Sequence, residues 1–228
     1  MKRVLLWSVC GVVFLGALGH ILFYEHAKDV KRRALRRELM AIAAKSAPSI
    51  DAAALARIPL TMDGDKSPEY KDIFDTLLQI KETYPIVKYV YILTDTNEPG
   101  ILQFVVDADP LPAIITAKSQ RSFPGDKYDA RSYPEMLNGF RGPSADRKIS
   151  ADDWGVTLSG YAPIKDTGGK VVAILCIDMD AGQLYAYLQS VRPIIFLLWV
   201  LVAAAIIAFM VDLALRKRIV PGGSSQKP

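Results

Sequence analysis

Two uncharged apolar runs, Val4–Tyr24 and Ile194–Val211, lie near the two ends of this chain. A helix rises about 1.5 Å per residue, so each run spans roughly 27–30 Å, the thickness of a bilayer's hydrocarbon core. Residues 25–193 between them have ordinary globular composition. They suffice for one domain with its own core. The pattern predicts a central domain displayed on one side of a membrane between two transmembrane helices. Residues 1–3, 4–24, 25–46, 47–190, 191–213 and 214–228 are expected to be a cytoplasmic N-terminus, the first span, a stalk helix, the domain, the second span and a short cytoplasmic tail.

Charge orients this arrangement. The formal net charge is +4. Its basic residues cluster at Lys28, Lys31, Arg32, Arg33, Arg36 and Arg37, and again at Arg216, Lys217 and Arg218. Both clusters flank apolar runs, so anionic lipid headgroups are their expected neighbours. No basic stripe interleaved with aromatics crosses the centre, which argues against nucleic acid. Arg216–Arg218 place the C-terminus in the cytoplasm by the positive-inside rule. Two spans then put the central domain outside. The cluster at 28–37 argues the other way, but long segments translocate largely regardless of charge. Ala17-Leu18-Gly19 resembles a signal-peptide cleavage site. The apolar run nevertheless continues through Tyr24, which favours a retained anchor. Cys10 and Cys176 fall in the first run and in a strand, so they form no disulfide with each other.

Periodicity fills in the middle. Leu35, Leu39 and Ile42 share one side of a helix over 25–46. Ser67-Pro68-Glu69 reads as a helix start, with a cap residue, proline at the first position and an acid. Tyr70, Ile73, Phe74, Leu77 and Ile80 follow at helical spacing as a core face. The period then changes to two. Lys88–Thr94 and Ile101–Asp107 read as a hairpin, and so do Trp154–Pro163 and Lys170–Met179 across the turn Asp166–Gly169. Residues 110–147 read as an irregular connection with a short helix at Pro134–Phe140. Long connections inside compact domains are usually functional. The order of elements gives an α+β domain, an antiparallel sheet with helices on one face.

Candidate site residues follow from the same patterns. Asp178 interrupts the most apolar strand, and a buried carboxylate is costly unless compensated. It either meets a cationic group or a ligand, or accepts from backbone donors. Tyr161 shares a polar strand face with Thr157 and Ser159, a face suited to a pocket or to solvent. Tyr91 either lines a cavity or packs as a core aromatic, and Trp154 at its strand start either packs or touches ligand. The pairs Asp107/Asp109 and Asp178/Asp180 lack a third ligand cluster with loop spacing, so no metal is expected. The only histidines are His20 and His26, in or beside the first apolar run. No nucleophile–base pair, zinc spacing or phosphate-cradling loop accompanies them, so neither enzymatic activity nor a cofactor is expected.

Five segments in order complete the reading. They are Tyr89–Leu93, Phe104–Pro110, Pro124–Asp129, Trp154–Ile164 and Gly169–Asp180. Together they resemble the PAS-like Cache (PDC) sensor domain of bacterial transmembrane receptors, over about residues 27–190. The resemblance implies a five-stranded antiparallel sheet, a long N-terminal helix, and a small-molecule pocket between the sheet and the connection before the last hairpin. It implies an inner-membrane, two-pass receptor whose periplasmic domain senses a small polar metabolite: an amino acid, amine or carboxylate. In its amino-acid-binding branch, an aspartate on the last strand holds the ligand amine, and Asp178 occupies that place. An Arg-x-Trp element holds the carboxylate. Arg131, in Tyr128-Asp129-Ala130-Arg131-Ser132-Tyr133, matches it loosely as an anion anchor without the tryptophan, and Tyr128 joins the candidate set with it. Arg216–Pro228 is too short for an output module, so signalling is expected through a homodimer or a separate membrane partner. The alternatives are a ligand-free scaffold of a membrane complex and a truncated receptor kinase or cyclase.

Overall fold

The computed structural model describes residues 2–108, 122–152 and 155–219. Residues 109–121, which hold Asp109 and the first part of the expected connection, lie outside the described residues, as do Trp154 and the tail from 220. The chain divides into two units, Arg32–Tyr185 and a second made of Met1–Lys31 with Ala186–Pro228.

In the first unit, helix α1 (Lys2–Ser46) contributes its C-terminal part. Leu35, Leu39 and Ile42, the apolar stripe read from spacing, are buried there, and Ala43 is buried with them. Helix α2 (Ala52–Leu55) starts at Asp51, whose carboxylate accepts from the Ala53 and Ala54 amides. Helix α3 (Pro68–Thr83) begins where the cap signal places it. Ser67 Oγ accepts from the Tyr70 amide at 3.2 Å, a cap bond that satisfies one of the orphan donors of the first turn. Tyr70, Ile73, Leu77 and Ile80 are buried on its inner face, and α3 packs against the first two strands, described next.

Those strands are β1 (Tyr89–Asp95) and β2 (Ile101–Asp107), joined by the expected turn with Gly100 at φ 77°. Three short strands follow, β3 (Lys127–Asp129), β4 (Ser144–Ala145) and β5 (Ser150–Asp152), with helix α4 (Pro134–Asn138) between the first two. The long hairpin of β6 (Gly155–Lys165) and β7 (Val171–Asp180) closes the sheet. All described pairings are antiparallel, in the order β3-β2-β1-β7-β6-β4 with β5 also on β6. Among the described residues the sheet therefore has seven strands, not the expected five. The strands that periodicity did not mark are two- and three-residue pieces, β3 and β4 within the stretch read as irregular and β5 just after it. Segments this short carry no readable alternation, and they become strands only because a partner edge supplies hydrogen bonds.

Strand β7 is central, and Ala173–Met179 are buried on both of its faces. Helices lie on both faces too, which corrects the expectation of one helical face. On one face α1 comes so close that a Cβ on Gly160 would sit 2.7 Å from the Leu39 carbonyl carbon. On the other, α4 leads into Gly139, where a Cβ would sit 2.8 Å from Tyr161 Cβ. Gly160 and Tyr161 are neighbours in one strand and so point to opposite faces.

The second unit contains the remainder of α1 and helix α5 (Ala181–Ile219) from Ala186 onward. Pro193–Leu213 is the described segment long and apolar enough to cross a membrane. Phe196, Leu197, Leu198 and Phe209 on it are more than half exposed, as are Phe14, Leu15, Ile21 and Leu22 on α1. The helices touch where glycine permits, since a Cβ on Gly19 would lie 2.7 Å from the Trp199 ring. His20 stacks on Tyr24 and meets Phe196 edge-on.

Candidate functional site

Strand register brings the candidate residues together. Tyr91 and Tyr161 both stand opposite Cys176, one on each side of β7. Ser159 and Tyr89 both stand opposite Asp178. Directly opposed residues share a face, and alternate residues along a strand share it as well. Tyr91, Ser159, Tyr161, Cys176 and Asp178 therefore point to the α4 side. A bulge between β1 and β2 at Ile92/Leu93 leaves Val105 unopposed and turns Phe104 to the same side. Phe104 then lies 5.5 Å from Tyr91 between ring centroids and edge-on to Tyr128, which in turn touches Tyr133. Tyr128, Met136, Tyr161, Ile174 and Cys176 close this layer as one buried apolar cluster.

Set into its rim are two buried carboxylates. Asp178 is 7% exposed and Asp146 5%. Tyr161 donates its hydroxyl to Asp146 Oδ1 at 3.1 Å. Asp146 follows β4, and its amide donates to the Ser159 carbonyl at 2.9 Å. Ser159 and Thr157 are buried beside it on β6. Both carboxylates act on the same neighbours. Burial, then the negative charges of Asp146 and Asp178, push the Tyr161 hydroxyl well above its ordinary pKa. Burial, then Asp178 and Asp146, do the same to the Cys176 thiol. Burial followed by Asp178 raises Tyr91. The Tyr91 and Tyr161 hydroxyls and the Cys176 thiol thus hold their protons in a low-dielectric setting, where charge interactions are strengthened.

The rim is braced from outside. Arg36 of α1 donates Nη2 to the Ala145 carbonyl at 2.7 Å and Nε to the Asp146 carbonyl at 2.5 Å. Ser144 Oγ donates to the Glu135 carbonyl of α4 at 2.6 Å, and the Glu135 carboxylate accepts from Arg147. Asp107, also buried, accepts from the Ser122 amide at 3.0 Å and anchors the return of the connection onto β2.

Of the residues expected at the site, Asp178, Tyr161, Tyr91 and Tyr128 converge on this one layer. Arg131 does not join them. It forms an exposed ion pair with Asp129, its side chain 63% accessible, and lies against Gly100. That pair, through the hydrogen bond from Arg131, lowers the Asp129 carboxyl to about 2. Trp154 lies outside the described residues. Two residues went unread. Asp146 falls in a stretch without periodicity, and only pairing with β6 reveals its position. Arg36 was grouped with headgroup-facing cations. Its spacing, three before Leu39 and seven before Ala43, already put it at the edge of the apolar stripe. Among the described residues no group of three or more His, Cys, Asp or Glu is placed to hold a metal ion.

No family model matches the chain, and no curated protein matches it. Several solved structures do. The E. coli DcuS sensor domain is 15% identical, with a TM-score of 0.47, over 70% of this chain and 98% of that one. The sensory domain of the Campylobacter jejuni chemoreceptor Tlp3 with isoleucine bound is 12% identical, with a TM-score of 0.39, over 82% and 63%. The sensor domain of the V. cholerae histidine kinase DctB is 13% identical, with a TM-score of 0.46, over 74% and 60%. All three are sensor or sensory domains of those proteins.

Proposed function

We propose that this chain is a two-pass membrane sensor. Its extracytoplasmic domain binds a small metabolite bearing an ammonium group, with Asp146 and Asp178 as the cation-binding residues. The observation that carries the reading is the pair of buried carboxylates acting on the same tyrosine and cysteine. Placing two negative charges in one desolvated layer is costly, and a bound ammonium group offsets that cost. The apolar body of such a ligand would lie toward Tyr91, Phe104 and Tyr128. A free amino acid or a simple amine fits this chemistry, and a lone carboxylate does not. The membrane part rests on Pro193–Leu213 and on the matching apolar run at Val4–Tyr24.

A second reading is a ligand-free scaffold, favoured by how completely the layer is filled by its own side chains. Tyr161 is 1% exposed, Cys176 0% and Met136 2%. The full chain in nanodiscs, screened by thermal shift against amino acids, amines and carboxylates, separates the two. A ligand at 100 times its dissociation constant adds about 2.7 kcal/mol. The sensor reading expects amine-bearing hits that vanish in both Asp146→Asn and Asp178→Asn and survive Arg131→Ala. A flat screen on folded protein would overturn it in favour of the scaffold, and hits confined to carboxylates would overturn the assignment of an ammonium site.

A further inference from the structure

Arg36 lies far from the apolar cluster in sequence, yet it grips the cluster's rim. Its guanidinium spans two consecutive carbonyls, those of Ala145 and Asp146, across a sequence separation of more than a hundred residues. The second of these belongs to the residue whose carboxylate accepts the Tyr161 hydroxyl. One peptide segment is thus held on its backbone side by α1 and on its side-chain side by the buried layer. The short strand β4 pairs with β6 through Ser144 and Ala145, the Asp146 amide extends that pairing to the Ser159 carbonyl, and Ser144 Oγ reaches the Glu135 carbonyl of α4. A planar fork makes two directional, charge-assisted bonds, which a lysine cannot reproduce.

We infer that Arg36 is a positioning residue that couples the state of the Asp146 carboxylate to helix α1. A change at the carboxylate shifts the Ala145–Asp146 carbonyls, and the fork carries that shift to the helix. Linkage makes the coupling reciprocal, so a displacement of α1 also changes how Asp146 presents its charge. The inference deepens the sensor reading, because ammonium binding is the event that would act on Asp146. Its test needs no ligand.

The test is a double-mutant cycle read by hydrogen exchange in the full chain in nanodiscs. Asp146→Asn neutralises the carboxylate at nearly constant shape, and Arg36→Lys keeps the charge and removes the fork. Coupled sites interact by an amount that corresponds to at least about a twofold change in exchange. Asp146→Asn should change exchange of the α1 amides at 39–46 by that factor with Arg36 present, and leave them unchanged in the Arg36→Lys background. Tyr161→Phe, which deletes the hydroxyl bonded to Asp146, is the second input and should give the same pattern. A purely structural Arg36 would let Asp146→Asn act equally in both backgrounds, or not at all, and either result overturns the coupling. A flat ligand screen leaves this cycle intact, so failure of the sensor reading and failure of the coupling are distinguishable.

Discussion

Replacing Gly160 by alanine tests how α1 is seated on the sheet. The added Cβ would lie 2.7 Å from the Leu39 carbonyl carbon, 2.8 Å from its oxygen and 2.9 Å from its Cβ. Carbon atoms pack best at about 3.5–4.0 Å, so the methyl needs about 0.8–1.3 Å more room. The obstacles are mainly helix backbone, which cannot rotate aside as a side-chain tip can. The helix must lift, and that loosens Leu35, Leu39 and Ile42, which are all buried. Overpacking of this kind costs about 1–3 kcal/mol, and the backbone obstacle puts Gly160→Ala near the top of the range. For a domain of about 150 residues, each kcal/mol lowers the melting temperature by about 2–4 °C. Gly160→Ala should therefore melt about 6–12 °C below wild type in a calorimetric scan of the full chain in detergent. Gly142→Ala is the control. Nothing lies within 4 Å of its Cβ and its φ is not positive, so it should be neutral or slightly stabilising. Equal melting temperatures for the two variants would refute the close approach of α1 to β6.

Two further outcomes follow from the ionisable groups. The Cys176 thiol is fully buried, and burial holds its proton on, so in native protein it should resist iodoacetamide at pH 8. Peptide mapping, which separates it from Cys10, should show its labelling rising in step with denaturant-induced unfolding, and rapid labelling without denaturant would contradict its placement. The Asp129 carboxyl is lowered to about 2 by its hydrogen bond from Arg131, whereas an unfolded aspartate titrates near about 3.9. Its folded value lies below the unfolded one, so the pair's stabilisation is present above the unfolded value and is lost as pH falls through the folded one. The difference in melting temperature between wild type and Asp129→Asn should be constant from neutral pH to about 5 and close as pH approaches about 2. A difference that persists at the lowest pH would exclude the ion pair as its source.

Much of the frame was legible because it is local. The cap at Ser67, the stripe Leu35–Leu39–Ile42 and the two hairpins each announce themselves within a window of one element. There the 3.6- or 2-residue period, a turn glycine or a cap hydroxyl acts on its immediate neighbours. Asp178 could be singled out for the same reason, as a charge in an otherwise apolar run. The site's other half could not. Asp146 has no pattern around it and matters only because β4 pairs with β6 in a register that aims its carboxylate at Tyr161. Arg131 looked suitable by motif, but a carboxylate two residues away holds it at the surface.

The chain by itself determined where apolar length suffices to enter a bilayer, which longer segments become helix or strand, and that the last strand carries an acidic residue into the core. Tertiary structure alone decided that seven strands rather than five share the sheet, that helices cover both of its faces, and that Asp146 meets Tyr161 while Arg36 holds Asp146 from behind. The division has one physical cause. Periodicity and capping are interactions between residues a few positions apart, whereas register and close approach join residues separated by 15 positions, as for Asp146 and Tyr161, up to 110, as for Arg36 and Asp146, and only the folded chain brings those together.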